Sequence, residues 1–137
     1  MSDIRDCVIC SNPGARPNDV IAELSASWVT ASVVAPLPGY VCVVSKTHVA
    51  EPFELRREEQ VAFWDDCMRV AQALVRLLEP RKMNYEIHGN TIPHLHMHLF
   101  PRYAGDPYEG SAITLEARFE RSRKQLDDIA VAVLATE

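Results

Sequence analysis

The spacing of apolar and polar residues predicts most of the elements of this chain. Short apolar runs bounded by Pro, Gly or Ser predict strands, and these runs are residues 20–24, 28–34, 40–45, 84–88 and 94–100. Apolar residues recur every three or four positions across residues 57–79, which predicts a long helix that Pro80 ends. Residues 115–135 predict a C-terminal helix. This order of elements indicates an α+β fold with an antiparallel sheet.

Segment 94–100, with the sequence HLHMHLF, carries the strongest chemical signal. Side chains two positions apart on a strand share a face, so three imidazoles are expected on one face and three apolar side chains against the core. Imidazole can act as a base, a nucleophile or a metal ligand. His94 and His98 would lie ~13 Å apart on an extended strand, too far for one ion to bind all three without a bend. A metal on two of them, or a solvated histidine-rich face, stays open.

Composition narrows the classes of partner. The chain has 137 residues, enough for one domain with a substantial core. The net charge of −5 argues against non-specific binding of nucleic acid, although local donors can still hold a small phosphate ligand. We see neither an apolar run of membrane-spanning length nor a secretory leader, so we expect no membrane partner and a cytoplasmic location.

A C-x-x-C pair, Cys7 and Cys10, precedes a loop-like stretch rich in Pro, Gly and Asn. Such a pair suits a redox couple, half of a zinc site, or chance. A redox couple of the thioredoxin type would follow a strand and open a helix, unlike this pair. Zinc takes four ligands, and the missing ones would have to be histidines, for which the candidates are His48, His88 and His94.

The pattern of segment 94–100 resembles the motif of the histidine triad (HIT) superfamily of nucleotide hydrolases and transferases. Segment 38–48, with a glycine, an apolar strand and Lys-x-His, and segment 89–93 also resemble this family, and the likeness covers roughly residues 5–105. It implies one domain over residues 1–137, with a five-stranded antiparallel sheet, one long central helix and a C-terminal helix. Residues 1–19 would form a zinc clip or loop, and residues 104–137 a loop and the last helix. Members of this superfamily usually pair as homodimers.

The resemblance also implies a reaction. His96 would attack the α-phosphorus of a dinucleoside polyphosphate, a nucleoside phosphoramidate or an adenylylated molecule, and water or another acceptor would resolve the nucleotidyl-histidine. The expected substrate-binding residues are Asn84, Asn90, Thr91 and His98. In members that bind zinc, the matching ligands are Cys7, Cys10, His48 and His94, and that zinc would be structural. No redox cofactor is expected.

Two sequence features help to place the chain within this superfamily. Tyr40 stands where many relatives have a histidine, and Leu95 with His98 replaces the Pro and Gln typical of the sugar-phosphate transferase branch, which favours the hydrolase branch. Three alternatives stay open: transfer or phosphorolysis in place of hydrolysis, a nucleotide-binding or scaffold protein with little turnover, and a hydrolase with its metal on the triad. The sequence selects neither the base nor the leaving group.

Overall fold

The computed structural model describes residues 4–135 and has a five-stranded antiparallel sheet at its centre. In chain order the elements are β1 (Val20–Glu23), β2 (Ser27–Thr30), β3 (Val34–Ala35), β4 (Val41–Ser45), α1 (Arg57–Leu78), β5 (Lys82–Glu86), β6 (His96–Arg102), β7 (Phe119–Glu120) and α2 (Arg123–Ala135). The sheet has the strand order β1-β2-β4-β6-β5, and β3 pairs with β7 in a separate two-stranded sheet. The expected five-stranded antiparallel sheet, long central helix and C-terminal helix are therefore confirmed.

The main core lies between one face of the sheet and the two helices. On β6 and just before it, Leu95, Met97 and Leu99 are buried on this face, so the predicted apolar side of the alternation is confirmed. Val41 of β4 pairs with Leu99, and α1 presents Val70 and Leu74 to the same core. The histidine side chains of β6 therefore project from the opposite face, which no helix of this core covers.

Helix α1 begins and ends close to its predicted bounds. Glu58 and Glu59 lie in its first turn, where negative charge interacts favourably with the helix dipole. Glu79 adopts a left-handed conformation (φ 49°) after the last turn and its N–H donates to the Val75 carbonyl, while Pro80 prevents continuation. The 3.6-residue period and these end signals explain why the sequence predicted this helix well.

The prediction of a helix from residue 115 is wrong. Residues 112–118 are irregular, β7 follows, and α2 begins only at Arg123. Ser122 and Gln125 form a capping box: the Gln125 N–H donates to the Ser122 hydroxyl, and the Ser122 N–H donates to the Gln125 side chain. Phe119 and Glu120 pair with β3, and the Arg118 N–H donates to the Ala35 carbonyl. This tertiary pairing outweighs the helical preference of the segment.

Other predicted bounds shift by a few residues. The predicted strand over 28–34 divides into β2 and β3, β5 begins two residues before residue 84, and His94 precedes the first residue of β6. Among residues 4–135, neither helix combines the length and apolarity that a membrane crossing requires. The cytoplasmic location stays a prediction.

Candidate functional site

The register of three strands places the candidate site on the open face of the sheet. His96 pairs with Val44 and His98 with Cys42 across the β4–β6 ladder, while Glu86 of β5 also pairs with His98. Directly paired residues project from the same face. The imidazoles therefore lie between an apolar strand on one side and a carboxylate on the other.

A cavity of about 630 Å³ lies over this face, which is a size suited to a small-molecule ligand. His96 and His98 contribute to its floor, where β6 crosses it. Its apolar lining residues include Ile9, Val44 and Leu115. Its polar lining residues include His88, Asn90 and Thr91, in the segment after β5.

A hydrogen bond to the backbone orients the His96 ring. Its Nδ1 lies 2.7 Å from the backbone carbonyl oxygen of His94. A carbonyl oxygen only accepts, so Nδ1 carries the hydrogen and Nε2 keeps its lone pair. Because the half-buried ring lines the cavity, this neutral tautomer can act as a nucleophile toward a bound electrophile.

His98 is a buried neutral imidazole. The pKa of its side chain is lowered to about 4, mainly by burial and to a smaller extent by the neighbouring His96 and His88. Its Nδ1 lies 2.7 Å from the hydroxyl of Tyr40. Burial raises the pKa of Tyr40, so that hydroxyl keeps its proton and can donate it to Nδ1. This donation favours the tautomer in which Nε2–H of His98 serves as a donor to a ligand.

Tyr40 is held by two further contacts. Its ring stacks on Phe100 with 4.7 Å between the ring centroids, and its hydroxyl lies 3.0 Å from Sγ of Cys42. Burial raises the pKa of the Cys42 thiol to about 11, so this group is a thiol and not a thiolate at neutral pH. Tyr40 therefore takes the position from which a side chain orients His98, a role that the sequence alone did not indicate.

Beside the cavity, four side chains form a cluster that can hold a metal ion. The candidate ligand atoms of Cys7, Cys10, His48 and His94 all lie within 4.8 Å of one another. Nδ1 of His94 lies 3.4 Å from Sγ of Cys7 and 3.1 Å from Nδ1 of His48, and Sγ of Cys10 lies 3.4 Å from Nδ1 of His48. In a tetrahedral zinc site with two sulfur and two nitrogen ligands, neighbouring ligand atoms lie about 3.3 to 3.8 Å apart. The cluster therefore has the dimensions and donor set of such a site.

The hydrogen bond at the far side of His94 supports ligation. Its Nε2 lies 2.7 Å from the carbonyl oxygen of Ser45, so Nε2 carries the hydrogen and Nδ1 directs its lone pair at the cluster. Burial also lowers the pKa of His94, which favours the neutral ring that a metal requires. Burial raises the pKa of the Cys10 thiol to about 11, and a bound cation would favour the thiolate.

The structure brings most of the predicted site residues together. His96, His98, Asn90 and Thr91 line one cavity, and the four predicted metal ligands form one cluster. Asn84 is the exception. It faces the same side of the sheet, but it pairs with Phe100, lies outside the residues that line the cavity, and accepts a hydrogen bond of 2.8 Å from Nη1 of Arg102.

A five-stranded antiparallel sheet that carries a row of imidazoles on its open face defines a histidine-triad type of α+β protein. The chain belongs to the HIT domain family, whose model matches residues 14–105.

Curated relatives agree with this assignment. The chain is 30% identical over 117 residues to "Protein hit" of Bacillus subtilis, with 75% of this chain and 76% of that protein covered. It is 23% identical over 119 residues to a bis(5'-adenosyl)-triphosphatase of Dictyostelium discoideum, with 83% and 80% covered.

Solved structures share the fold. A histidine triad protein of Bradyrhizobium japonicum matches with a TM-score of 0.75 at 22% identity, covering 85% of this chain and 87% of that one. A zinc-bound histidine triad family protein of Mycobacterium smegmatis matches with a TM-score of 0.70 at 21% identity, covering 97% and 96%.

Proposed function

We propose that this protein hydrolyses a nucleotide at its α-phosphate through a nucleotidyl intermediate on His96. The observation that carries the proposal is the bond between Nδ1 of His96 and the His94 carbonyl, which directs the Nε2 lone pair away from the backbone in a ligand-sized cavity. The similarity to a bis(5'-adenosyl)-triphosphatase supports a dinucleoside polyphosphate as the substrate. Nucleoside phosphoramidates and adenylylated molecules are the other candidate substrates.

The reaction follows from the charge and placement of the cavity residues. Nε2 of His96 forms a bond to the α-phosphorus while the bond to the leaving group breaks and that group takes the electron pair. Water then attacks the phosphorus, loses a proton and displaces the imidazole. Nε2–H of His98, the Asn90 amide and the Thr91 hydroxyl would stabilise the charge on the phosphate oxygens. Asn84 stays a prediction, since its side-chain oxygen is engaged by Arg102.

Trapping the intermediate tests this proposal. We expect wild-type protein incubated with a labelled dinucleoside polyphosphate or adenosine phosphoramidate to carry an acid-labile label, and the His96→Ala variant to bind nucleotide without label or turnover. A wild type that binds nucleotide and does not turn it over would favour the scaffold alternative. Turnover by His96→Ala at the wild-type rate would refute His96 as the nucleophile.

We also propose that the metal cluster binds zinc and that this zinc is structural. Cys7, Cys10, His48 and His94 would hold it, and a bound zinc would clip the N-terminal segment to the sheet next to the nucleophile. The zinc-bound relative of Mycobacterium smegmatis supports this choice of metal.

We expect elemental analysis to find one zinc per chain, and Cys10→Ser to lower both the zinc content and the melting temperature. Chelation that stops turnover at once in a fully folded protein would instead favour a metal on the triad.

We further propose that the protein forms a homodimer through α1 and the edge strand β5. Large apolar side chains are exposed around a groove of about 640 Å³ on this face: Trp64 of α1 is 55% accessible, and Phe53, in the turn before α1, is 76% accessible. Arg57 and Asp65 border the same groove, so a two-fold related copy can bring opposite charges together. The open edge of β5 can also pair with its counterpart.

A further inference from the structure

His88 contributes a fourth imidazole to the cavity, outside the triad motif. It lies two residues after β5, lines the cavity, and packs edge-on against His98 with 5.3 Å between the ring centroids. Its Nε2 lies 2.8 Å from Oε1 of Glu86, whose residue pairs directly with His98. About half of the His88 side chain is exposed, whereas only 5% of His98 is exposed. His88 therefore stands at the mouth of the cavity, above the buried floor.

The geometry of phosphoryl transfer indicates which part of a substrate would contact His88. The attacking and leaving atoms lie roughly in line on opposite sides of the phosphorus. Because His96 attacks from the floor, the leaving group must depart toward the mouth. His88 lines the cavity and is the more exposed of the two neighbouring imidazoles. A charged leaving group that departs toward the mouth would therefore meet the His88 imidazole.

The floor of the cavity is uncharged at His98, so an anionic ligand would be stabilised by a further hydrogen-bond donor. His98 is neutral near pH 7 and offers a single N–H to the cavity, at Nε2, when Tyr40 donates to its Nδ1. Nε2–H of His88 donates to Glu86, and an anion bound beside the ring would favour the imidazolium form, whose Nδ1–H can donate to that anion. A carboxylate on one nitrogen of an imidazolium stabilises the charge and fixes the ring, as in other carboxylate–histidine pairs.

We propose that His88, oriented by Glu86, forms a subsite for an anionic leaving group. The pair makes this protein selective for dinucleoside polyphosphates, whose leaving group is a nucleoside phosphate, over phosphoramidates, whose leaving group is a small amine. This inference rests on the proposed function, because it takes His96 as the attacking group. It adds a specificity-determining residue on the β5 side of the cavity.

Binding in a background without turnover tests the subsite separately from the reaction. In His96→Ala protein we expect the added His88→Ala change to weaken binding of a dinucleoside polyphosphate about tenfold, which corresponds to the loss of one charge-assisted hydrogen bond. We expect the same change to weaken binding of AMP less than about twofold. Added Glu86→Gln keeps a hydrogen-bonding side chain without its charge and should give an intermediate loss for the polyphosphate. Val131→Ala, on the exposed side of α2, is the matched control and should change neither affinity.

Kinetics in the wild-type background give the second readout. We expect His88→Ala to lower kcat/KM about tenfold for the polyphosphate and to leave adenosine phosphoramidate within about twofold. An equal loss of kcat/KM for both substrates would overturn the inference, because His88 would then act on the nucleotidyl part that they share. An equal loss of affinity for the polyphosphate and for AMP would overturn it for the same reason. Unchanged polyphosphate affinity would overturn it as well. Failure of the wild type to turn over either substrate would count against His96 as nucleophile, while the binding comparison would still decide the role of His88.

Discussion

His94 serves two sites with three different atoms. Its Nδ1 faces the metal cluster, its Nε2 donates to the Ser45 carbonyl, and its own carbonyl accepts from Nδ1 of His96. A shift of this residue would therefore move a candidate metal ligand and the proposed nucleophile together. In the proposed reaction, the first histidine of the triad would have a positioning role, distinct from the proposed roles of His96 and His98.

At the residue scale, Tyr40→Phe should lower turnover without unfolding the protein. The variant loses the 2.7 Å hydrogen bond to His98 and keeps the ring stacked on Phe100. Loss of a partner that fixes an active-site imidazole costs about tenfold or more in rate, whereas one hydrogen bond contributes only about 1 kcal/mol to stability. Steady-state kinetics and urea unfolding measure the two effects.

Tyr40→His is the matched control, because a second imidazole can also hydrogen-bond to His98. We expect it to restore part of the lost rate. A Tyr40→Phe variant with wild-type kcat would show that His98 needs no partner at Nδ1.

The ionised side chain of Asp106 makes the free energy of unfolding depend on pH. Arg102 donates to both of its carboxylate oxygens, at 2.7 and 3.0 Å, and these bonds lower the pKa of Asp106 to about 2. A carboxyl with a lowered pKa in the folded state stabilises it above the ordinary pKa of about 4, and this contribution is lost as the pH falls toward 2. We expect Asp106→Asn to lower the free energy of unfolding by about 2 kcal/mol at pH 7 and by much less at pH 2.

Urea unfolding of both proteins across this range measures the difference. Asp127→Asn, at an exposed ion pair with Arg123 on α2, is the control and should have little effect at either pH. Equal losses for Asp106→Asn at pH 2 and pH 7 would contradict the assigned role of the carboxylate charge.

At the scale of elements, the end of α1 packs tightly against the turn before β4. A Cβ added to Gly39 would lie 2.6 Å from Cδ1 of Leu78 and 2.7 Å from Cγ of Pro101. The Pro101 ring has little freedom to move, so we expect Gly39→Ala to cost about 1 to 3 kcal/mol of stability. Thermal or urea unfolding measures this loss.

A double variant tests the origin of the effect. Leu78→Ala removes one of the two contacting groups, so Gly39→Ala with Leu78→Ala should lose less than the sum of the single losses. Strictly additive losses would mean that the crowding at Gly39 does not involve the helix end.

Local patterns explain which elements the sequence predicted. The bounds of α1 are set by its own period, its first turn and Pro80, all of which are contiguous in the chain. Strands β3 and β7 are two residues each and pair across more than eighty positions, so no local pattern marks either one. The start of α2 was readable in the Ser122-x-x-Gln125 capping box, which the wider apolar pattern obscured.

The same distinction applies to the site. The alternation in segment 94–100 predicted the side of the sheet that carries the imidazoles, and the family resemblance predicted the four residues of the metal cluster. The contact between Tyr40 and His98 depends on the register of β4 with β6, and the engagement of Asn84 depends on Arg102 across β5 and β6. Such contacts require the pairing of distant strands and could not be predicted from spacing alone.

For the whole molecule, the exposed face of α1 predicts the state of association. We expect the wild type to elute with the mass of two chains, and Trp64→Glu to shift it toward one chain, because a carboxylate would be buried in the interface. Size-exclusion chromatography with light scattering measures this. Val131→Glu is the matched control, since Val131 is 67% exposed on α2, away from this face. A wild type with the mass of one chain at high concentration would refute the proposed dimer.

Strand β6 carries its two duties on alternate residues, with the core on one side and the cavity on the other. Inserting or deleting one residue next to His96 would turn Met97 and Leu99 toward the cavity and drive imidazoles into the apolar interior. Folding and activity would then fail in a single step. Substitutions in this strand can therefore change the cavity without changing the fold, whereas a change in its number of residues cannot.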